Sequence, residues 1–277
     1  MQLKPNFLII GAPKAGTTSL WANLREHPNV FMPKIKEPHY FSREEVYLRG
    51  WSWYMDLFSE WNGEFAVGEA SPSYSMIQSY PKVAERIANN LPDVRLIYIV
   101  RNPFERVQSA WLQFLFTGHP ITGDFDQDIR GYGPMIEQSL YWQCISKYRE
   151  YFSDQNILVL FFEDLKSDAK KVIRKCYSFL GVDTDFVPVN TNYAYNESAG
   201  RRKERNIMSL LRKSPFYFAA KNLPEGIREW IYDVFGKKRL PGKPCWKPKV
   251  KEWYAEIIYE DICNFLDYTG KPKDYWF

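Results

Sequence analysis

Residues 7–27 read FLIIGAPKAGTTSLWANLREH, and this stretch decides the fold. Phe7, Leu8, Ile9 and Ile10 form a short unbroken apolar run, the pattern of a strand buried on both faces. A turn bounded by Gly11 and Gly16 follows, and then Leu20, Trp21 and Leu24 at helical spacing. Strand, glycine turn and helix together make an anion cradle. Glycine lets the backbone come close, and the first N–H groups of a helix have no partner within it. The turn nearly spells the nucleotide phosphate loop G-x-x-x-x-G-K-[ST]. Gly11, Gly16 and Thr18 fit, but Thr17 stands where the lysine belongs. The lysine of this loop is Lys14, inside the turn.

Working outward, residues 94–100, VRLIYIV, give a second buried strand that runs into RNPFERVQS. Asn102 suits an N-cap, Pro103 the first helical position, and Glu105 completes a capping box. Arg101 then stands at the strand tip. Ser109 follows Asn102 by two helical turns on the same face, so the two side chains can converge on one anion. Residues 157–162, ILVLFF, predict a third buried strand, and residues 65–68 a short one with EASPSY at its end. Ligands of α/β sheets gather beyond the carboxyl ends of the strands. Residues 30–42, broken by Pro33 and Pro38, predict an extended loop carrying Lys34, Lys36, Glu37 and His39.

Helices are expected over residues 81–90, 134–152 and 253–266. An aromatic helix with Trp51, Trp53, Tyr54, Leu57, Phe58 and Trp61 should pack on the sheet edge. Residues 117–134 are too long for a routine connector and suit a lid or acceptor loop. Residues 190–205 are polar and end in GRRKER. That run and the charged loop at 34–39 also fit plain solvated surface.

The 277 residues suit one large α/β domain, with 45% apolar and 25% charged residues. Ten Trp, 19 Tyr and 19 Phe are mostly core material. A net charge of +4 fits an anionic small ligand and is weak support for nucleic acid. Cys144, Cys176, Cys245 and Cys263 have no metal-ligand spacing and read as reduced thiols. No run reaches membrane-spanning length and no signal peptide is evident, so the expectation is a cytosolic chain without membrane insertion.

Several of these stretches are similar to those of sulfotransferases that use 3′-phosphoadenosine 5′-phosphosulfate (PAPS). PKAGTTS resembles the family's 5′-phosphosulfate loop, and KEPHYF resembles the segment supplying the catalytic carboxylate in carbohydrate-type members. EASPSY resembles the family's E-x-x-P-x-Y element, and R-N-P-x-x-R-x-x-S its 3′-phosphate motif. The resemblance runs in family order through most of the chain. It implies a P-loop-like α/β fold, a central parallel sheet flanked by helices, as one domain over residues 1–277.

The resemblance also implies roles. Lys14, Ala15, Gly16, Thr17, Thr18 and Ser19 would hold the phosphosulfate, with Lys14 neutralising charge on the leaving phosphate. Arg101 and Ser109 would hold the 3′-phosphate. Arg202, with Ser198, Gly200 and Arg201, would close over the nucleotide. Glu37 is the expected base, with Lys36 and His39 beside it, and Glu69 and Tyr74 the expected acceptor-pocket residues. Lys34 and Lys36 should favour the Glu37 carboxylate, and that carboxylate should keep His39 protonated as a donor.

The expected reaction moves a sulfuryl group from PAPS to a hydroxyl of a carbohydrate or polar small-molecule natural product, leaving 3′,5′-bisphosphate (PAP). No metal is expected, and the oligomeric state is open. A P-loop kinase is one rival reading. It wants lysine after Gly16 and an acidic strand end for its metal, and only Glu163-Asp164 is acidic. A non-catalytic nucleotide-binding module is another, but it has no need of Glu37 beside the loop.

Overall fold

The apolar runs become neighbouring strands of one parallel sheet: β1 (Phe7–Gly11), β2 (Val30–Phe31), β3 (Ala66–Ala70), β4 (Arg95–Val100) and β5 (Ile157–Phe161), in the order β2-β3-β1-β4-β5. This is a computed structural model, and it describes residues 4–189, 202–204, 237–239 and 242–277. Between and after the strands lie α1 (Thr17–Leu24), α2 (Glu44–Tyr47), α3 (Gly50–Asp56), α4 (Val83–Asn90), α5 (Pro103–Thr117), α6 (Phe125–Gly131), α7 (Pro134–Glu137), α8 (Tyr141–Arg149), α9 (Phe162–Ser167), α10 (Ala169–Leu180) and α11 (Pro248–Tyr268).

Alternation along β1 and β4 divides the core. Leu8, Ile10, Leu96, Tyr98 and Val100 pack with Ile87 of α4, Val107 of α5, Ile145 of α8 and Ile262 of α11. Phe7, Ile9, Ile97 and Ile99 face the other way, onto Leu20 and Leu24 of α1 and Val172, Ile173 and Cys176 of α10. A sheet covered on both faces needs strands apolar at every position, which is why these runs are unbroken.

Four expectations are corrected. Val30 and Phe31, read as loop, pair with Ala66 and Val67 as the edge strand β2; two residues are too few to show a period, and Pro33 ends the run. The helix expected over 134–152 is broken between α7 and α8. The cause is Arg106, fully buried, which donates from Nε to Ser139 Oγ at 2.7 Å, from Nη1 to Gln138 Oε1 at 3.0 Å and from Nη2 to the Met135 carbonyl. Residues 117–134 are not an open loop throughout. They contain α6, and Asp128 ties the preceding turn down by accepting from Thr122 N, Gly123 N and Trp111 Nε1. The capping box is half right. Asn102 Oδ1 accepts from Phe104 N and Glu105 N, but Glu105 turns to Arg101, and Glu163 Oε1 takes the Asn102 N–H at 2.6 Å.

Arg202 is placed as the first residue of β6 (Arg202–Glu204), antiparallel to β7 (Lys237–Arg239). Ser198, Gly200 and Arg201 lie outside the described residues. Among the described residues, no helix is long and apolar enough to cross a membrane.

Arg106→Met keeps apolar volume but strips Gln138 Oε1 and the Met135 carbonyl of their donor, while Ser139 Oγ still accepts from Tyr254 OH at 2.7 Å. It should cost at least about 2 kcal/mol, since each buried group left unpaired costs roughly 1–3 kcal/mol. Urea unfolding checks this: the midpoint should fall at an unchanged slope.

Candidate active site

The start of α1 leaves its donors open. Gly16, at the N-cap position, has a φ of 95°, and no described side chain caps the helix. The first-turn N–H groups therefore face the sheet's carboxyl edge as an anion site. Glycine is required at 16 on two counts: the left-handed backbone, and a ring so close that a Cβ would stand 2.7 Å from Phe162 Cδ2. Lys14 is also left-handed, with a φ of 68°. Its Nζ donates to Gln113 Oε1 on α5 at 3.4 Å, one turn beyond Ser109. The phosphate loop and the helix of the RNPFERVQS motif thus meet.

Arg101 stands at the end of β4, its guanidinium 4.7 Å over the Phe162 ring and 2.5 Å from Glu105 Oε2. The Phe162 ring therefore touches both the phosphate loop and the strand-tip arginine. A groove of about 390 Å³ opens beside it, lined by Asn102, Glu105, Phe162, Glu163, Lys166 and Ser167. An anion at Arg101 has to share or displace Glu105, whose carboxyl the guanidinium holds below its ordinary range. Ser109 is half-buried on α5.

The loop carrying Glu37 docks on the end of β3. Glu37 N donates to the Ala70 carbonyl at 3.2 Å, and Ser71 N donates to Ile9 O at 3.1 Å, so this loop reaches the same sheet edge as Lys14. Lys36 Nζ pairs with Glu37 Oε1, while Oε2 lies 3.9 Å from His39 Nε2. Lys34 does not share this work; it pairs with Glu60 on the exposed surface.

His39 corrects an expectation. It is not held protonated by Glu37: burial, with help from Arg43, brings its pKa down to about 4 and outweighs the carboxylate. Proton counting then gives its tautomer. Ser42 Oγ donates to His39 O, so Ser73 Oγ donates to Ser42 at 2.8 Å and accepts from His39 Nδ1–H at 2.7 Å. The neutral ring presents Nε2 as a lone pair toward Glu37.

Glu69 and Tyr74, expected on an open pocket wall, are instead interior, 1% and 0% exposed. The Glu69 carboxylate accepts from Tyr74 OH at 2.5 Å, Ser71 Oγ at 2.9 Å and Tyr54 OH at 3.5 Å. Burial pushes its pKa up to about 7 in spite of these bonds. Phe162, Ser71 and Ser73 are the site residues that sequence reading missed, because no spacing announces them. Glu163, the acid a kinase would give to a metal, serves the backbone of Asn102. Among the described residues no group of three or more His, Cys, Asp or Glu is placed to hold a metal. A second cavity, of about 490 Å³ along β5, contains none of the residues assigned to the nucleotide or the acceptor.

The sulfotransferase-domain family model matches residues 4–197. The heparan sulfate glucosamine 3-O-sulfotransferase 6 of Mus musculus is 32% identical over 203 residues, which are 71% of this chain and 57% of that protein. The bifunctional heparan sulfate N-deacetylase/N-sulfotransferase 4 of the same organism is 30% identical over 70% of this chain and 23% of its own length. The chain thus spans little more than half of one relative and about a quarter of the other. The crystal structure of a sulfotransferase from Alicyclobacillus acidocaldarius superposes with a TM-score of 0.72 at 25% identity, covering 99% of both chains.

Two buried groups should leave opposite marks on stability. Between 4.5 and about 7 the folded state holds the Glu69 proton that the unfolded state has lost, so this contribution falls as pH rises. Between about 4 and 6.5 the unfolded state holds the His39 proton that the folded state has lost, so this one grows with pH. In urea unfolding, the advantage of wild type over Glu69→Gln should shrink from pH 4.5 to 7, and that over His39→Asn should widen from pH 4 to 6.5. Parallel pH curves for wild type and both variants would refute both shifts.

Proposed function

The chain belongs to the PAPS-dependent sulfotransferase family, and on that premise we propose that it transfers the sulfuryl group of PAPS to a hydroxyl of a glucosamine-containing carbohydrate. The observation that carries this reading is the meeting of three stretches at one sheet edge: the Lys14 loop, the Glu37 loop on β3, and Arg101 over Phe162. The carbohydrate class is supported by the two relatives, whose names specify heparan sulfate.

When bound, PAPS supplies the sulfuryl group and departs as PAP. The open N–H groups of α1, with the Thr17 and Thr18 hydroxyls, hold the 5′-phosphosulfate. Lys14 neutralises charge growing on the bridging oxygen, where fixed charge contributes most. Arg101 exchanges Glu105 for the 3′-phosphate, with Ser109 beside it. Glu37 Oε2 takes the acceptor proton while Lys36 holds Oε1. His39 Nε2, an acceptor, receives a neighbouring hydroxyl of the sugar and so helps orient it. As in phosphoryl transfer, positioning and charge stabilisation do most of the catalysis.

Calorimetry in EDTA with PAP and AMP tests the nucleotide site. Arg101→Ala should weaken PAP by about 1.5–3 kcal/mol, the scale of a hydrogen bond to a charged group, and leave AMP little changed. Equal binding of PAP and AMP by wild type would overturn the 3′-phosphate assignment.

Turnover with a heparan-type oligosaccharide tests the chemistry. Glu37→Gln should lower kcat by roughly 10²–10⁴-fold with PAP affinity retained. Lys14→Ala should lower kcat far more than it weakens PAP. Loss of activity in His39→Asn with Glu37→Gln still active would make His39 the base.

A further inference from the structure

We propose that the buried Glu69 carboxylate is the positioning residue of the base loop, acting through the Ser71 and Tyr74 hydroxyls. The inference rests on the reading of Glu37 as base. The loop follows an unusual path. Glu37 and His39 both have left-handed backbones, with φ of 61° and 58°, and neither is glycine. Such a conformation costs a side-chain-bearing residue roughly 1–2 kcal/mol, so two of them in three residues must be held from outside.

The hold comes at alternate residues. Glu37 N donates to Ala70 O at 3.2 Å, His39 N to Ser71 Oγ at 3.0 Å, and Phe41 N to Tyr74 OH at 3.4 Å. All three acceptors lie in one short segment following Glu69. Two of them are hydroxyls, which can rotate and could equally offer a proton. Both hydroxyl protons are committed elsewhere: Ser71 Oγ donates to Glu69 Oε2 at 2.9 Å and Tyr74 OH to Glu69 Oε1 at 2.5 Å. Once ionised, above its raised pKa of about 7, the carboxylate only accepts, so it fixes the direction of both bonds and leaves the oxygen lone pairs for His39 N and Phe41 N. Ser71, Tyr74 and Tyr54 are fully buried, so no water competes for these partners. Glu69 thus sets where the loop runs, and with it where the Glu37 carboxylate stands, without touching substrate.

The test compares Glu69→Gln, Ser71→Ala and Tyr74→Phe, alone and each combined with Glu37→Gln, in turnover with PAPS and oligosaccharide. PAP calorimetry and thermal unfolding run alongside. Each single variant should bind PAP as wild type does and lose roughly 10- to 100-fold in kcat, the scale of a misplaced catalytic group. Each double variant should be no slower than Glu37→Gln alone, because a misplaced base and an absent base cost the same thing once. Wild-type kcat in all three folded variants overturns the inference. So do losses that multiply in the doubles, or a loss of PAP binding equal to the loss of kcat. Full activity of Glu37→Gln overturns the base assignment itself and this inference with it, an outcome distinct from the others.

Discussion

The Phe162 ring packs directly on Gly16, and the site is registered on that contact. The ring is placed by the turn from β5 into α9, Gly16 by the turn from β1 into α1. No side chain at 16 could pass between them. Arg101 lies over the same ring, carried there by β4, whose Val100 pairs with Phe161 of β5. The distance between the two anion-binding halves is therefore set by the register of β1, β4 and β5. Backbone ladders hold that register far more rigidly than any surface ion pair could.

The buried polar side chains follow a common logic. Regular strands and helices satisfy their own backbone, whereas a kinked loop cannot, and its N–H groups need partners from elsewhere. Glu69 serves the loop of residues 37–41 through two hydroxyls. Asp128 receives the turn at Thr122 and Gly123, and Asp261 of α11 receives Trp142 N at 2.9 Å and Gln143 N at 2.8 Å where α8 begins. Arg106 is the counterpart for carbonyl and side-chain oxygens at the break between α7 and α8. Burying such groups is costly unless every bond is made, and here the return is irregular backbone held in one conformation at the mouth of the sheet.

The two oxygens of Glu37 are not equivalent. Lys36 occupies one, and the other faces a histidine that has no proton to give on that side. In the proposed reaction the carboxylate is thus anchored by one atom and available by the other.

The sequence by itself determined the strands at 7–10, 94–100 and 157–162, the glycine turn, the Asn102 cap and the order of the motifs. Unbroken apolar runs, glycine spacing and capping residues are local signals, and local physics reads them. The resemblance of the chain's motifs to those of sulfotransferases also singled out Lys14, Glu37 and Arg101, for which local patterns alone left plain surface or structural roles open. Tertiary structure alone decided the rest. Phe162 reached the phosphate loop only through strand register, Arg106 broke a helix by reaching into it from another, and Glu69 became interior once α3 and the base loop closed over it. His39 carries the same lesson: its neighbour in sequence argued for a charged ring, and burial among residues distant in sequence made it neutral. A pKa, like a helix break, depends on what lies around a group in space, and a pattern along the chain carries no record of that.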